Sequence, residues 1–280
     1  MAGAVSEPRI VISELKGCMF WKTDRRLKVI QRILPEILLY EKARTLLREG
    51  IFSFQFEDHI LKFYLPYATH DLVQRTILET STFFEQELLS KMRKYINSES
   101  VVVDVGANIG NHTIFFSKIC GARKVYSFEP LKTVFTMFEK NLELNDITNV
   151  SGYNLALGES SGFASIHGYN NANVGSTKFG MDAHGAFKVI TLDSLNLPQV
   201  DFCKIDVEGM QFEFLKGATA TLETFKPVVW IELLNMGNAT FGYNNEREVV
   251  LPQKMLKDLG YVLVEKMSVF DYLYIHQSHH

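Results

Sequence analysis

The chain has 280 residues, a formal net charge of −3 and a hydrophobic fraction of 46% against 22% charged residues. This is the balance of a globular α/β-sized domain with an extension, not of a disordered or collagen-like chain. The absence of a dense basic run argues against sequence-independent binding along a nucleic-acid backbone, and no apolar run approaches a membrane span.

Cys18, Cys120 and Cys203 are far apart, odd in number and without metal spacing, which suits small buried thiols in a reducing cytoplasm. Met1–Val11 lacks a basic start followed by an apolar block, so no signal peptide is expected.

Residues 1–22 carry little pattern. Leu27, Ile30, Ile33, Leu34, Ile37 and Leu38 recur at three- and four-residue steps and predict helices over 24–34 and 36–49, divided at Pro35 and stopped at Gly50. Arg25, Arg26, Lys28 and Arg32 form a solvated helix face. Alternation over 51–65 around Glu57-Asp58-His59 predicts a β-hairpin. Residues 70–95 read as helical. The boundary between an N-terminal accessory region, 1–80, and the main domain, 81–278, is placed near residue 80.

Val101–Gly110, Val-Val-Val-Asp-Val-Gly-Ala-Asn-Ile-Gly, is the stretch around which the main domain is organised. A β-branched run marks a strand buried on both faces. Asp104 lies at its end, Gly106 and Gly110 make a turn, and 110–120 has helical spacing. Strand, glycine turn and helix is how α/β proteins build a nucleotide site, because glycines admit a ligand to the backbone and the helix start offers free N–H groups. The next strand, 124–129, ends in Glu129, 19 positions after Gly110. An acid at about this distance can take both hydroxyls of a ribose. A dinucleotide site normally has a middle glycine where Asn108 stands, so a nicotinamide enzyme is the rival at this point.

The pattern then continues as helix 131–145, strand 149–157 and strand 163–168. Residues 169–186, rich in Gly and Asn, predict a long loop of the lid or binding kind, with His167 and His184 flanking it. A short helix begins at Thr191, strand 201–206 comes next, and Glu208-Gly209 turns the chain into helix 210–223. Strand 227–232 ends in Glu232. A second Asn/Gly-rich loop, 234–246, precedes helix 247–259 and a closing strand pair at 261–266 and 270–275. Ligands of an open parallel sheet sit at the carboxyl ends of its strands. There Asp104, Glu129, Asp206 with Glu208, and Glu232 converge.

Asp104-Val105-Gly106-Ala107-Asn108-Ile109-Gly110 resembles motif I of the S-adenosylmethionine-dependent methyltransferases, and more narrowly the FkbM family of O-methyltransferases. Ser127-Phe128-Glu129-Pro130, Asn141-x-x-x-Asn145, Ala156-Leu157-Gly158, Asn173-x-Gly175 and Lys204-Ile205-Asp206-Val207-Glu208-Gly209 resemble further signatures of that family in the family's order, over about residues 70–275. Gln211 departs from the pattern, where the family usually has Glu.

The resemblance implies a Rossmann-like class I methyltransferase fold: α/β, with a mostly parallel seven-stranded sheet, an antiparallel terminal hairpin and an N-terminal helical and β-hairpin extension. It implies S-adenosylmethionine as cofactor. Gly106, Asn108 and Gly110 would shape the turn at its methionine end, and Glu129 would take the ribose hydroxyls. Asn154, Ala156 and Leu157 would border the adenine. Asp104 would orient the turn or meet the cofactor's amino group, with Asp206 also on the cofactor's edge.

Methyl transfer to a hydroxyl needs alignment and a home for the acceptor's proton. His112, Asp206, Glu208 and Glu232 are the candidate catalytic groups, with His112 equally readable as a helix-cap residue. Asp206 and Glu232 also stand where some methyltransferases bind a divalent metal, which is not the favoured reading.

The expected activity is O-methylation of a sugar, glycan or natural-product hydroxyl in the cytoplasm. Tyr169, Phe179, Phe241 and Tyr243 suit a sugar ring. The alternatives are an N-methyltransferase and a non-catalytic module on the same scaffold. No nucleic-acid partner and no membrane span are expected, and a homo-oligomer is left open.

Overall fold

The computed structural model describes residues 50–168, 178–233 and 246–279. The helices expected over 24–34 and 36–49 lie outside these residues, as do 169–177 and 234–245 from the two Asn/Gly-rich loops.

Strands β1 (Ile51–Phe56) and β2 (His59–Tyr64) form the expected antiparallel hairpin, with Phe52, Phe54, Leu61 and Phe63 all pointing inward. The single helix expected over 70–95 is instead two. α1 (Leu72–Thr80) is capped by the Asp71 carboxylate, which accepts from Gln74 N–H at 3.0 Å, and it ends at Ser81 in the left-handed region. α2 (Gln86–Met92) starts after Glu85, also left-handed. A long-range clamp causes the break. The Asn111 amide accepts from Phe84 N–H at 2.9 Å and donates to Phe84 C=O at 3.0 Å. This places Phe83 edge-on among Phe54, Phe56, Phe63 and Phe115.

The central sheet comprises β3 (Val101–Val105), β4 (Lys124–Phe128), β5 (Val150–Tyr153), β10 (Phe202–Ile205), β11 (Val228–Glu232), β12 (Tyr261–Lys266) and β13 (Asp271–His276). Its order is β12-β13-β11-β10-β3-β4-β5. β5, β4, β3, β10 and β11 are parallel neighbours, and β13 runs antiparallel to both β11 and β12. This is the seven-stranded class I methyltransferase sheet expected from the sequence.

Successive side chains on a strand face opposite sides. Val102, Phe202 and Trp230 join one apolar core that also takes in the β1–β2 hairpin. Val103, Cys203 and Val229 join the other. The hairpin and the sheet therefore share one core.

The crossovers are α3 (Asn111–Ile114, continuing as a π turn over Phe115–Ile119), α4 (Lys132–Leu144), α5 (Gln211–Gly217), α6 (Thr219–Phe225) and α7 (Leu251–Asp258, entered through a π turn at Glu246–Val250). The helix expected over 210–223 is divided because Gly217 packs on the Gly158 carbonyl, where a β-carbon would stand 1.9 Å from the oxygen.

A second sheet went unseen in the sequence. It has the order β6-β9-β7-β8, from β6 (Ala156–Leu157), β7 (Gly162–Gly168), β8 (Lys178–Met181) and β9 (Phe187–Ile190). The strand expected over 149–157 thus splits between two sheets, and part of the loop expected over 169–186 is β8. A four-residue Lys-Phe-Gly-Met strand beside a Gly/Asn-rich run carries no readable alternation. Among the described residues no helix is long and apolar enough to cross a membrane.

Candidate functional site

The glycine turn after β3 holds three left-handed residues in a row of five: Gly106 at φ +81°, Asn108 at +50° and Gly110 at +90°. Within the turn Gly110 N–H donates to Ala107 C=O at 2.9 Å and Ile109 N–H to Asn108 Oδ1 at 2.7 Å, and outside groups hold it further. Gly106 N–H and Ala107 N–H donate to Phe128 C=O at 3.0 and 2.9 Å. Asn108 N–H donates to Glu129 Oε2 at 3.0 Å. A β-carbon at Gly106 would stand 1.7 Å from the Asp206 carbonyl oxygen, so the turn and the end of β10 are in backbone contact.

Glu129 follows β4 and is 7% exposed. Its Oε1 accepts from Leu131 N–H at 2.8 Å, and Asn154 Nδ2 donates to the Glu129 and Pro130 carbonyls at 2.9 Å each. Both oxygens are thereby aimed, and each keeps a lone pair for a further donor. Burial pushes the Glu129 carboxyl up to about 7, against the opposing pull of the two N–H donors.

A cleft with about 530 Å³ of space, part of it open to solvent, lies here. Gly106, Glu129, Asp206 and Glu208 rim it, and Phe128, Leu131, Val134, Leu155, Ala156, Leu157 and Met210 give it an apolar wall. An apolar slot with one aimed carboxylate and a glycine backbone edge fits an adenosine. The expected cofactor residues Gly106, Glu129, Ala156, Leu157 and Asp206 line this cleft. Asn108 and Asn154 shape it through hydrogen bonds, and Gly110 ends the turn. Asp104 lies deeper, fully buried on β3, its Oδ2 accepting from Thr113 Oγ1 at 2.5 Å.

The acids of the next two strands meet beside the cleft. Asp206, Glu208 and Glu232 each place a carboxylate oxygen within 4.8 Å of the others. Lys204, 3% exposed on β10, puts Nζ 2.9 Å from Asp206 Oδ2 and 4.0 Å from Asp104 Oδ1. Burial raises the Asp206 carboxyl. The Lys204 charge and the hydrogen bonds from Glu232 and Lys204 outweigh it and hold the group below the usual carboxylate range. Glu232 is driven well above that range by burial and then by the Asp206 charge. The two carboxyls are coupled, with Asp206 held low and Glu232 held high. These three carboxylates could hold a divalent ion between them, with Asp206 already paired to the Lys204 ammonium.

His112 occupies the first turn of α3 and caps nothing. Its Nε2 lies 3.1 Å from Glu85 Oε2, near enough for an ion pair but off the line of a hydrogen bond. Its ring packs edge-on to Trp230, centroids 5.2 Å apart. It stands between Glu85 at the start of α2 and Trp230 of β11, near enough to the acid cluster to bear on Asp206. His184 is exposed in the turn after β8. Tyr169, Phe241 and Tyr243 lie outside the described residues.

Sequence reasoning assigned no role in the site to Lys204, Glu85 or Gln211. A lysine inside Phe-Cys-Lys-Ile was a usable signal, since a buried strand admits a cation only beside anions. Glu85 gave no signal, because its contact comes from a fold-back that no spacing encodes. Gln211 accepts from Gly209 N–H at 3.0 Å and donates to Glu232 C=O at 3.1 Å, tying the Glu208 turn to the end of β11.

A family model described as the methyltransferase FkbM domain matches residues 104–263, from the buried aspartate of β3 into β12. The hexuronic acid methyltransferase AglP of Haloferax volcanii is 30% identical over 150 residues, covering 52% of this chain and 61% of that protein. Methyltransferase 1 of Beauveria bassiana is 25% identical over 145 residues, covering 42% of this chain and 58% of that protein. The chain thus spans about three fifths of the length of these curated relatives. A crystal structure of a methyltransferase FkbM from Methylobacillus flagellatus superposes with a TM-score of 0.47 at 16% identity, over 89% of this chain and 60% of that one.

Proposed function

Since the chain belongs to the FkbM family of methyltransferases, its family model matching more than half of its length, we propose that it transfers a methyl group from S-adenosylmethionine to an uncharged hydroxyl of a sugar, glycan or natural product. The cofactor supplies an electrophilic methyl on a sulfonium. The chain's own residues hold it, align the acceptor and take up the acceptor's proton.

The observation that carries this reading is the Asp206–Glu232 carboxyl pair beside a cleft built for an adenosine. An alcohol is a poor nucleophile while protonated. Glu232, once ionised, is a strong proton acceptor because burial and the neighbouring Asp206 charge raise its proton affinity. Lys204 keeps Asp206 ionised, and that charge sustains the proton affinity of Glu232.

The charge around this pair supports a neutral acceptor. Lys204 is committed to Asp104 and Asp206. A carboxylated acceptor would bring a further negative charge to Asp206, Glu208 and Glu232. The same carboxylates would attract an ammonium, which makes an amine acceptor the second reading.

Transfer of labelled methyl from S-adenosylmethionine to a panel of neutral glycosides, uronates and amines tests this. Transfer to neutral hydroxyls that is lost in Glu232→Gln supports the proposal. Transfer confined to amines moves the assignment to N-methylation, and S-adenosylhomocysteine binding with no transfer to any acceptor favours a non-catalytic module.

A further inference from the structure

The Asn141-x-x-x-Asn145 spacing on α4 has a structural use that the cleft alone does not reveal. Asn141 is fully buried. Its Oδ1 accepts from Tyr64 N–H on β2 at 2.6 Å, and its Nδ2 donates to Ile109 C=O in the glycine turn at 2.8 Å. One turn later, Asn145 pairs with β2 in the manner of a neighbouring strand. It accepts from Lys62 N–H at 3.0 Å and donates to Lys62 C=O at 2.7 Å. The two amides together dock the hairpin onto α4, but only Asn141 also reaches the turn.

The turn's outside acceptors for Gly106, Ala107 and Asn108 N–H come from the end of β4, and Lys204 on β10 reaches the Gly106 carbonyl oxygen at 3.5 Å. They fix its first half. Asn141 fixes its second half, at Ile109, between the left-handed Asn108 and Gly110. The Asn141 amide bridges these two groups because one end accepts while the other donates.

From this geometry we infer that Asn141 is a positioning residue for cofactor binding and that the N-terminal hairpin is, through this amide, part of the cofactor site. Removing the amide orphans Tyr64 N–H and Ile109 C=O beside a fully buried position, and the cost falls on the shape of the turn. The inference rests on the reading of the cleft as an S-adenosylmethionine site.

Calorimetric titration with S-adenosylhomocysteine, paired with thermal melting, tests it on wild type, Asn141→Ala, Asn141→Asp and Asn145→Ala. Asn141→Asp, titrated at about pH 8, keeps the acceptor for Tyr64 and, while ionised, lacks the donor to Ile109, so it reads the bridge even where Asn141→Ala does not fold. Both Asn141 variants are expected to bind S-adenosylhomocysteine about 10- to 100-fold more weakly. Asn145→Ala cuts the hairpin's other anchor and leaves the turn untouched. It is expected to melt lower than wild type while its affinity stays within about twofold.

Folded Asn141 variants that bind as wild type does overturn the inference alone. So does an Asn145→Ala that loses as much affinity as Asn141→Ala, because general hairpin packing is then responsible. A folded wild type that does not bind S-adenosylhomocysteine overturns the cofactor reading and this inference with it.

Discussion

A β-carbon on Gly106 would stand 1.7 Å from the carbonyl oxygen of Asp206, so the cofactor turn and the acid-bearing strand end touch backbone to backbone. That contact sets how the two halves of the site face each other. Gly106→Ala must separate them, and it places a side chain at φ +81° as well. Left-handed strain costs about 1–3 kcal/mol, or several degrees in melting temperature, before the clash is counted. Gly110→Ala has a similar φ but meets only the edge of the Phe138 ring at 3.1 Å. Gly106→Ala is therefore expected to lose S-adenosylhomocysteine binding and Gly110→Ala to keep a part of it. The reverse ranking, read by titration and melting, would contradict the contact's role.

Glu129 gives the site a pH dependence. Burial raises its carboxyl to about 7 in the folded protein, against 4.5 ordinarily. Its contribution to folding is thus fully present below about pH 4.5 and is lost as pH rises through 7. Cofactor binding runs the other way, because ribose hydroxyls donate to the ionised form. Affinity for S-adenosylhomocysteine is expected to rise about tenfold from about pH 6 to about pH 8 and then level off. Glu129→Gln should bind more weakly and flatten the profile. A wild-type affinity that does not change across this range would mean that Glu129 does not meet the ligand in its ionised form.

The glycine turn, Glu129 and the acids ending β10 and β11 were legible because each belongs to a short strand–turn–helix unit whose pattern is local. The strand order followed from the alternation of those units. The hidden features depend on contacts between distant parts of the chain. The break between α1 and α2 is set by Asn111 gripping Phe84 across 27 positions. The edge strand β8 is four residues long and is recognised only by its partner β7. The role of Gln211 depends on Glu232, 21 positions on, and the loss of a charge relative to the family pattern is visible in the sequence while the gained donor is not.

Gln211 makes a sharper case than its family departure suggested. Its amide accepts from Gly209 N–H and donates to Glu232 C=O, holding the strained turn at Glu208, φ +42°, against β11. A glutamate keeps the acceptor and loses the donor unless it is protonated. Gln211→Glu is expected to cost about 1–3 kcal/mol at about pH 8. It should regain stability toward about pH 5, because a buried carboxyl that is raised in the folded state stabilises it on the acid side. Gln211→Leu lacks both functions and should show no such recovery relative to wild type. Urea unfolding at the two pH values separates them, and equal pH responses of the two variants would count against the bridge.

Lys204 carries the electrostatics of the acid cluster. It is 3% exposed, with Nζ 2.9 Å from Asp206 Oδ2, 3.5 Å from the Gly106 carbonyl oxygen and 4.0 Å from Asp104 Oδ1. Burial alone would lower its proton affinity, but the Asp206 and Asp104 charges outweigh burial and raise it. The cation is therefore constant across neutral pH. Lys204→Met preserves length and leaves Asp104, fully buried, with the Thr113 hydroxyl on one oxygen and no hydrogen bond on the other. Breaking a buried pair in this way costs about 3–5 kcal/mol. The orphaned carboxylates then rise in proton affinity, so the variant should recover stability between about pH 7 and about pH 5, where its folded state binds protons that its unfolded state does not. Adding Asp104→Asn removes one stranded charge and should restore part of the loss at about pH 7. Without the cation, Asp206 is no longer held low and its charge no longer sustains the proton affinity of Glu232, so methyl transfer by Lys204→Met should fall even where S-adenosylhomocysteine still binds. A Lys204→Met protein as stable as wild type near neutral pH, with an unchanged pH response, would remove Lys204 from this role.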